Sequence, residues 1–341
     1  MKNMRNAIFA MCMGMLGSAA ALAQYGSFGQ GPGALAKNTS GSYDAAFGYY
    51  PLTANNTGEE NSAFGAFSLY ANTYGSGNTA AGGWSLYSNV GGSYNTANGL
   101  SSLYENTSGD YNTASGYASL YENTSGGSNT AVGPYALFSN TSGSNNIAIG
   151  SWSAYDLTDS SSYNIDIGSS GASGDNGVIR IGSNGNQSAF FAGGVTGVKT
   201  GLSNAVEVMV DGNGQLGTIN SSIRFKEDVH DMAAASDGLM RLRPVTYRYK
   251  QPYADGSKPL DYGLIAEEVA EVYPDLVAKN ADGQIQTVQY QKLTPMLLNE
   301  VQKERGLLEA QEKTIQLLEK RLAALEAAQS STQPDTQLAK K

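Results

Sequence analysis

Short apolar groups return along this chain every 17 residues, set in a background of Gly, Asn, Ser and Thr. Asn61 opens NSAFGAFSLYANTYGSG, Asn78 opens NTAAGGWSLYSNVGGSY, and Asn95, Asn112, Asn129 and Asn146 open further copies, the last one residue longer. A degenerate copy starts at Asp44 and a partial one, NIDIG, at Asn164. Each unit holds two apolar patches, for example Ala97-Asn98-Gly99 and Ser102-Leu103-Tyr104, separated by turn formers such as Asn106-Thr107-Ser108-Gly109. Seventeen residues are too few for a helical hairpin, and Gly and Asn are poor helix formers. The pattern predicts a mainly β fold, a stacked β-solenoid or β-roll with two short strands and two turns per coil. Seven coils at the strand spacing of about 4.8 Å make a rod of roughly 34 Å. With only Ala and Gly in the first patch, the larger Leu86, Tyr87, Leu120 and Tyr121 are expected to pack against other copies of the chain.

Beyond residue 168 the pattern changes. Val178 to Gly182, Ala189 to Gly193 and Val206 to Val210 are strand candidates. Asp211-Gly212-Asn213-Gly214 before Gln215-Leu216-Gly217-Thr218 predicts a hairpin. Further on, Val301, Leu308, Ile315 and Leu322 recur every seven residues, with Leu297, Glu304, Gln311, Leu318 and Leu325 as the paired positions. That heptad predicts a coiled-coil helix over residues 293–328, with Glu304 and Gln311 as polar breaks that set register.

Composition adds an address. Lys2 and Arg5 precede an apolar run from Ala7 to Leu22, and Ala21-Leu22-Ala23 fits a small-x-small cleavage pattern. Residues 1–23 are therefore expected to be a signal peptide, leaving an exported chain without a transmembrane segment, placed outside the cell, at its surface or in the periplasm. The one cysteine, Cys12, lies in that leader and follows Met11, so neither a disulfide nor a lipoprotein site is expected in the mature chain.

The net charge of −9 is unevenly spread, with no Lys or Arg from residue 38 to residue 179. Such a stretch has nothing to neutralise phosphates, which excludes nucleic-acid binding. The repeats also lack His and Cys, and their acids, such as Glu105, Glu122, Asp156 and Asp159, stand apart, so neither a cofactor nor a metal is expected. The rows of Tyr offer a stacking surface for sugars, although packing is the simpler use of them. The Thr79, Thr96, Thr113 and Thr130 row resembles an ice-binding column, but Thr107, Thr124 and Thr141 fall in turns, so no flat double row is expected.

The Asn-x-Ala-x-Gly-x-x-Ser units of residues 44–168 resemble the head repeats of trimeric autotransporter adhesins, which implies a trimeric β-roll. Those adhesins end in a membrane β-barrel, whereas this sequence ends in helix and a polar tail, so anchoring by that route is not expected. A second resemblance begins at Ser221-Ser222-Ile223-Arg224-Phe225-Lys226. It continues through Leu242-Arg243-Pro244-Val245-Thr246-Tyr247, Tyr262-Gly263-Leu264-Ile265-Ala266-Glu267-Glu268-Val269, Tyr273-Pro274-Asp275-Leu276-Val277 and Val288-Gln289-Tyr290. These blocks resemble the peptidase S74 domain, the α/β intramolecular chaperone of phage endosialidases and other tail spikes.

What that resemblance implies is a homotrimer assembled by the domain, followed by self-cleavage at Asn220–Ser221 with Ser221 as nucleophile and Lys226 as base. Arg224, Glu267 and Glu268 are candidates to support the pair, while His230 is expected at the surface. The family pattern has Asp where this chain has Ser222, which leaves open a trimer whose chaperone is never removed. A glycan-acting enzyme, as in phage spikes, is the third alternative. The chain is thus expected to divide into leader (1–23), linker (24–43), β-roll (44–168), β-rich neck (169–220), chaperone domain (221–292), coiled coil (293–328) and tail (329–341).

Overall fold

The computed structural model describes residues 26–183, 186–280 and 282–331, so the expected signal peptide lies outside the described residues. The chain separates into two units between Val195 and Thr196.

The first unit is a β-solenoid of about nine turns. Its ten strands form one parallel sheet in chain order: β1 (Phe28–Gln30), β2 (Ala45–Phe47), β3 (Ser62–Phe64), β4 (Thr79–Ala81), β5 (Thr96–Asn98), β6 (Thr113–Ser115), β7 (Thr130–Val132), β8 (Ile147–Ile149), β9 (Ile165–Ile167) and β10 (Ile179–Ile181). Each coil stacks in register on the next, so Thr96 lies beside Thr113 and Ala97 beside Ala114. In β2 to β8 the middle residue is a fully buried Ala, and the residues on either side of it point outward.

Each coil contains one strand, not the expected two. The Ser-Leu-Tyr patch is a turn, with the Leu in left-handed conformation, as at Leu86 (φ 49°), Leu103 (φ 51°) and Leu120 (φ 51°). Left-handed backbone costs an ordinary residue roughly 1–2 kcal/mol. Burying the Leu completely returns about 1.5–3 kcal/mol, and all of Leu52, Leu69, Leu86, Leu103, Leu120 and Leu137 are fully buried. The turn swings this side chain onto the Ala column, so each coil closes its own core. This corrects the expectation that these leucines face other copies. The following Tyr stays on the outside and stacks on its counterparts: Tyr70, Tyr87, Tyr104, Tyr121 and Phe138 form a column with ring centroids 5.0–5.2 Å apart.

Two asparagine ladders hold the turns. In one, Asn78, Asn95, Asn112, Asn129 and Asn146 each donate a side-chain N–H to the side-chain oxygen of the Asn one coil earlier, at 3.1–3.2 Å, and that oxygen also accepts the backbone N–H of the donor residue. The second ladder runs through Asn72, Asn89, Asn106, Asn123 and Asn140 at 2.7–2.9 Å. An amide that both donates and accepts along the stack offsets the cost of burying a polar group, and at the end of the second ladder the Asn140 side-chain oxygen is left without a partner. The glycine after each strand is fixed by a close approach: at Gly99 (φ 137°) an added Cβ would lie 2.5 Å from the Gly116 carbonyl oxygen.

The second unit contains the predicted hairpin, β11 (Met209–Val210) against β12 (Leu216–Gly217). At the end of the first unit, Ala189 to Gly193 forms no strand, and Phe190 and Phe191 are exposed. Two more antiparallel pairs follow, β13 (Val245–Tyr247) with β14 (Asp261–Gly263), and β15 (Val277–Lys279) with β16 (Ile285–Val288). Helix α1 (Ala266–Val272) and the first turns of helix α2 (Tyr290–Ser331) close a small core of Leu239, Val269, Leu276, Val277, Val288, Leu293 and Met296. Lys303 ties α2 to the same body through Asp237. Beyond it the seam residues Leu308, Ile315, Leu318, Leu322 and Leu325 are exposed. Among the described residues no helix is long and apolar enough to cross a membrane.

Candidate functional site

The segment singled out by the sequence leaves β12 and enters one 3₁₀ turn, Ile223–Phe225. Residues 218–221 have no regular secondary structure and are exposed, so the Asn220–Ser221 peptide bond is open to solvent. Ser222 is extended (φ −67°, ψ 140°) and caps the turn, its Oγ accepting the Arg224 backbone N–H at 3.4 Å and the Arg224 Nε–H at 3.2 Å. The Arg224 guanidinium also stands 5.5 Å from the centre of the Phe225 ring. The Lys226 backbone N–H closes the turn on the Ile223 carbonyl at 3.2 Å, after which the chain is extended again.

Ser221 and Lys226 therefore flank a single turn, both exposed, and no hydrogen bond joins them among the described residues. Glu267 and Glu268 lie in the first turn of α1, where acids suit the helix N-terminus. Glu267 is exposed, while Glu268 makes a two-pronged ion pair with Arg243 at 2.5 and 3.2 Å. Neither is bonded to Ser221, Lys226 or Arg224, and His230 is exposed. Ser221, Lys226 and Arg224 are thus gathered by local chain geometry, and the two glutamates stand elsewhere.

The ion pair of Arg243 with Glu268 draws the Leu242 to Tyr247 block onto the Tyr262 to Val269 block, and the Tyr290 hydroxyl accepts the Leu264 backbone N–H at 3.0 Å. The later blocks quoted from the sequence, from Leu242 to Tyr290, are in this way one packed body. Residues 221–278 match the peptidase S74 family model, the chaperone of endosialidase. No curated protein and no solved structure matches the chain. The match opens on Ser221 itself, the residue after the exposed bond, and ends within β15.

Sequence reasoning missed two buried acids in the solenoid. Asp44 occupies the first rung of the asparagine ladder, and Asp166 the inward middle position of β9 where earlier coils have Ala. Burial raises the carboxyl of each to about 6. Asp166 Oδ1 has no hydrogen-bond partner, and Arg180, one coil on, is engaged by Asp175 at 2.6 and 2.9 Å. Their places in the register were visible at positions 44 and 166, but their burial follows from the direction the middle strand residue faces. Arg243 stood in a quoted block, yet its pairing with a residue 25 positions away has no spacing signature.

Proposed function

We propose that this chain is an exported, trimeric fibre protein whose C-terminal domain is an intramolecular chaperone that assembles three copies and then cuts itself off at Asn220–Ser221. The observation that carries the proposal is the start of the chaperone match at Ser221, directly after a solvent-open bond and beyond a folded β-solenoid. The exposed apolar seam of α2 supports assembly, because a heptad stripe left in water is covered by copies of itself.

In the cut, Ser221 Oγ adds to the carbonyl carbon of Asn220 while its proton passes to Lys226 Nζ. Collapse of the adduct breaks the C–N bond and expels the Ser221 nitrogen, which takes that proton. The Asn220 ester left on Oγ is then hydrolysed by water, giving the Asn220 carboxylate and free Ser221. A lysine is a base only when neutral, a form favoured by burial or a nearby cation. Lys226 is exposed in the single chain, so this environment comes from neighbouring copies, and assembly times the cut. Arg224, two residues before Lys226, is the candidate within the chain for such a cation.

Expression of the full chain and a denaturing gel test the proposal. Two pieces are expected, one ending at Asn220 and one starting at Ser221, and a Ser221→Ala chain stays whole. A wild-type chain that is trimeric and uncut refutes self-cleavage. The reading it would favour is a trimer that keeps its chaperone, which Ser222 in the Asp position of the family pattern makes the natural alternative.

A further inference from the structure

The outer face of the β1–β10 sheet carries two columns of side chains, the first and third residue of each strand. No outward residue in either column is charged. Acids stand on other sides of the coils: Glu60, Glu105, Asp110, Glu122, Asp156 and Asp159 all sit outside the strands. From residue 38 to residue 179 no Lys or Arg balances them. Two copies that met through the acidic sides would place like charges opposite one another, which costs several kcal/mol. The sheet face is free of this penalty along its whole length, about 43 Å for ten strands at ~4.8 Å.

That face also becomes apolar toward the end of the stack. Its middle is Thr, Ala, Asn and Ser, but β8 to β10 present Ile147, Ile149, Ile165, Ile167, Ile179 and Ile181. Ile179 and Ile181 are 65% and 56% exposed, far more than an isoleucine in a finished sheet face would be. The patch occupies the solenoid end from which the chain continues to the chaperone domain.

We infer that the outer face of the β1–β10 sheet is the contact between copies in the assembled fibre, with the isoleucine columns of β8 to β10 as its apolar anchor. The occupant is a second and third copy of this chain, related by a three-fold axis along the stack. Equal coil heights then meet, so the first column of one copy packs on the second column of the next, Ile147 against Ile149. The tyrosine column stays on the outside. This inference rests on the trimer reading above.

Cross-linking in the full chain carrying Cys12→Ser tests it, since no other cysteine is present. The Ile147→Cys/Ile149→Cys chain, oxidised with diamide, is expected to run mainly as a covalent trimer on a non-reducing gel, whereas Ile149→Cys alone, which faces Ile147 of the next copy, is expected to stay mainly uncrosslinked. Thr96→Cys/Asn98→Cys, on two exposed positions of the same columns, is expected to do the same and guards against misfolding of the isoleucine variant. Native mass is measured on every sample. A trimer by mass that gives no covalent species from either pair, or that links through Glu105→Cys instead, overturns the sheet-face contact and leaves the trimer reading standing. A chain that is monomeric by mass at all concentrations overturns both.

Discussion

Asp44 accepts both the backbone N–H and the side-chain N–H of Asn61, at 2.9 and 3.2 Å, and so begins a ladder that every later coil continues with asparagine. An acid differs from an amide here in one respect, since it can only accept while ionised. Its second oxygen takes the Asn55 side chain at 3.0 Å, which links the first ladder to the second. Even with three donors, burial holds its carboxyl up at about 6.

Acid is therefore expected to stabilise the solenoid. The folded-state value of Asp44 and Asp166, about 6, lies above the ordinary 3.8, so the folded chain binds more protons between these values. Stability is fully present below pH about 4 and is lost as pH rises through 6, by up to about 3 kcal/mol per group. Thermal melting followed by circular dichroism should give a higher Tm at pH 5 than at pH 7.5. Asp44→Asn should raise the pH 7.5 value and leave the pH 5 value nearly unchanged. A Tm that is flat or rises across this range for the wild type would refute the account.

The leucine and tyrosine columns are expected to separate cleanly in energy. Leu103 is fully buried in its own coil, so Leu103→Ala removes core volume and should cost about 2–4 kcal/mol. Tyr104 stacks on the surface between Tyr87 and Tyr121, and Tyr104→Ala should cost about 1–2 kcal/mol. Denaturant unfolding of the two variants measures the difference. Equal losses would mean that the rings, not the leucines, carry the stack.

Ser222→Asp is expected to speed the proposed cut. Ser222 Oγ already lies 3.2 Å from Arg224 Nε, on the turn that separates Ser221 from Lys226. A carboxylate there holds the guanidinium more firmly and restores the family pattern. A gel time course after refolding should show the Asn220 and Ser221 fragments sooner than in the wild type. Unchanged or slower release would remove residue 222 from the machinery.

The helical seam should respond to polarity in opposite directions. Ile315→Asp buries a charge in any heptad core and is expected to shift the native mass toward monomer at micromolar concentration. Gln311→Leu fills the same seam with apolar volume and should hold the assembly together at lower concentration. Sedimentation of both chains decides it, and no shift in either would mean that α2 takes no part in assembly.

Much of this protein was legible because its sequence repeats. An identical 17-residue spacing requires identical coils, and the opening of the chaperone match at Ser221 coincides with an ordered series of local motifs. Hairpin β11–β12 was legible for the same reason, since Asp211 and Gly214 act on their immediate neighbours. What repetition cannot state is the direction in which each side chain points. Leu103 looks like a strand residue until its φ of 51° turns it inward, a choice made by the coil stacked on it. Asp166 looks like any acid until the register puts it in the Ala column. Local chain chemistry determined the period, the turns and the candidate site, while the tertiary stack decided which groups lose water, because burial is a property of neighbours far apart in sequence.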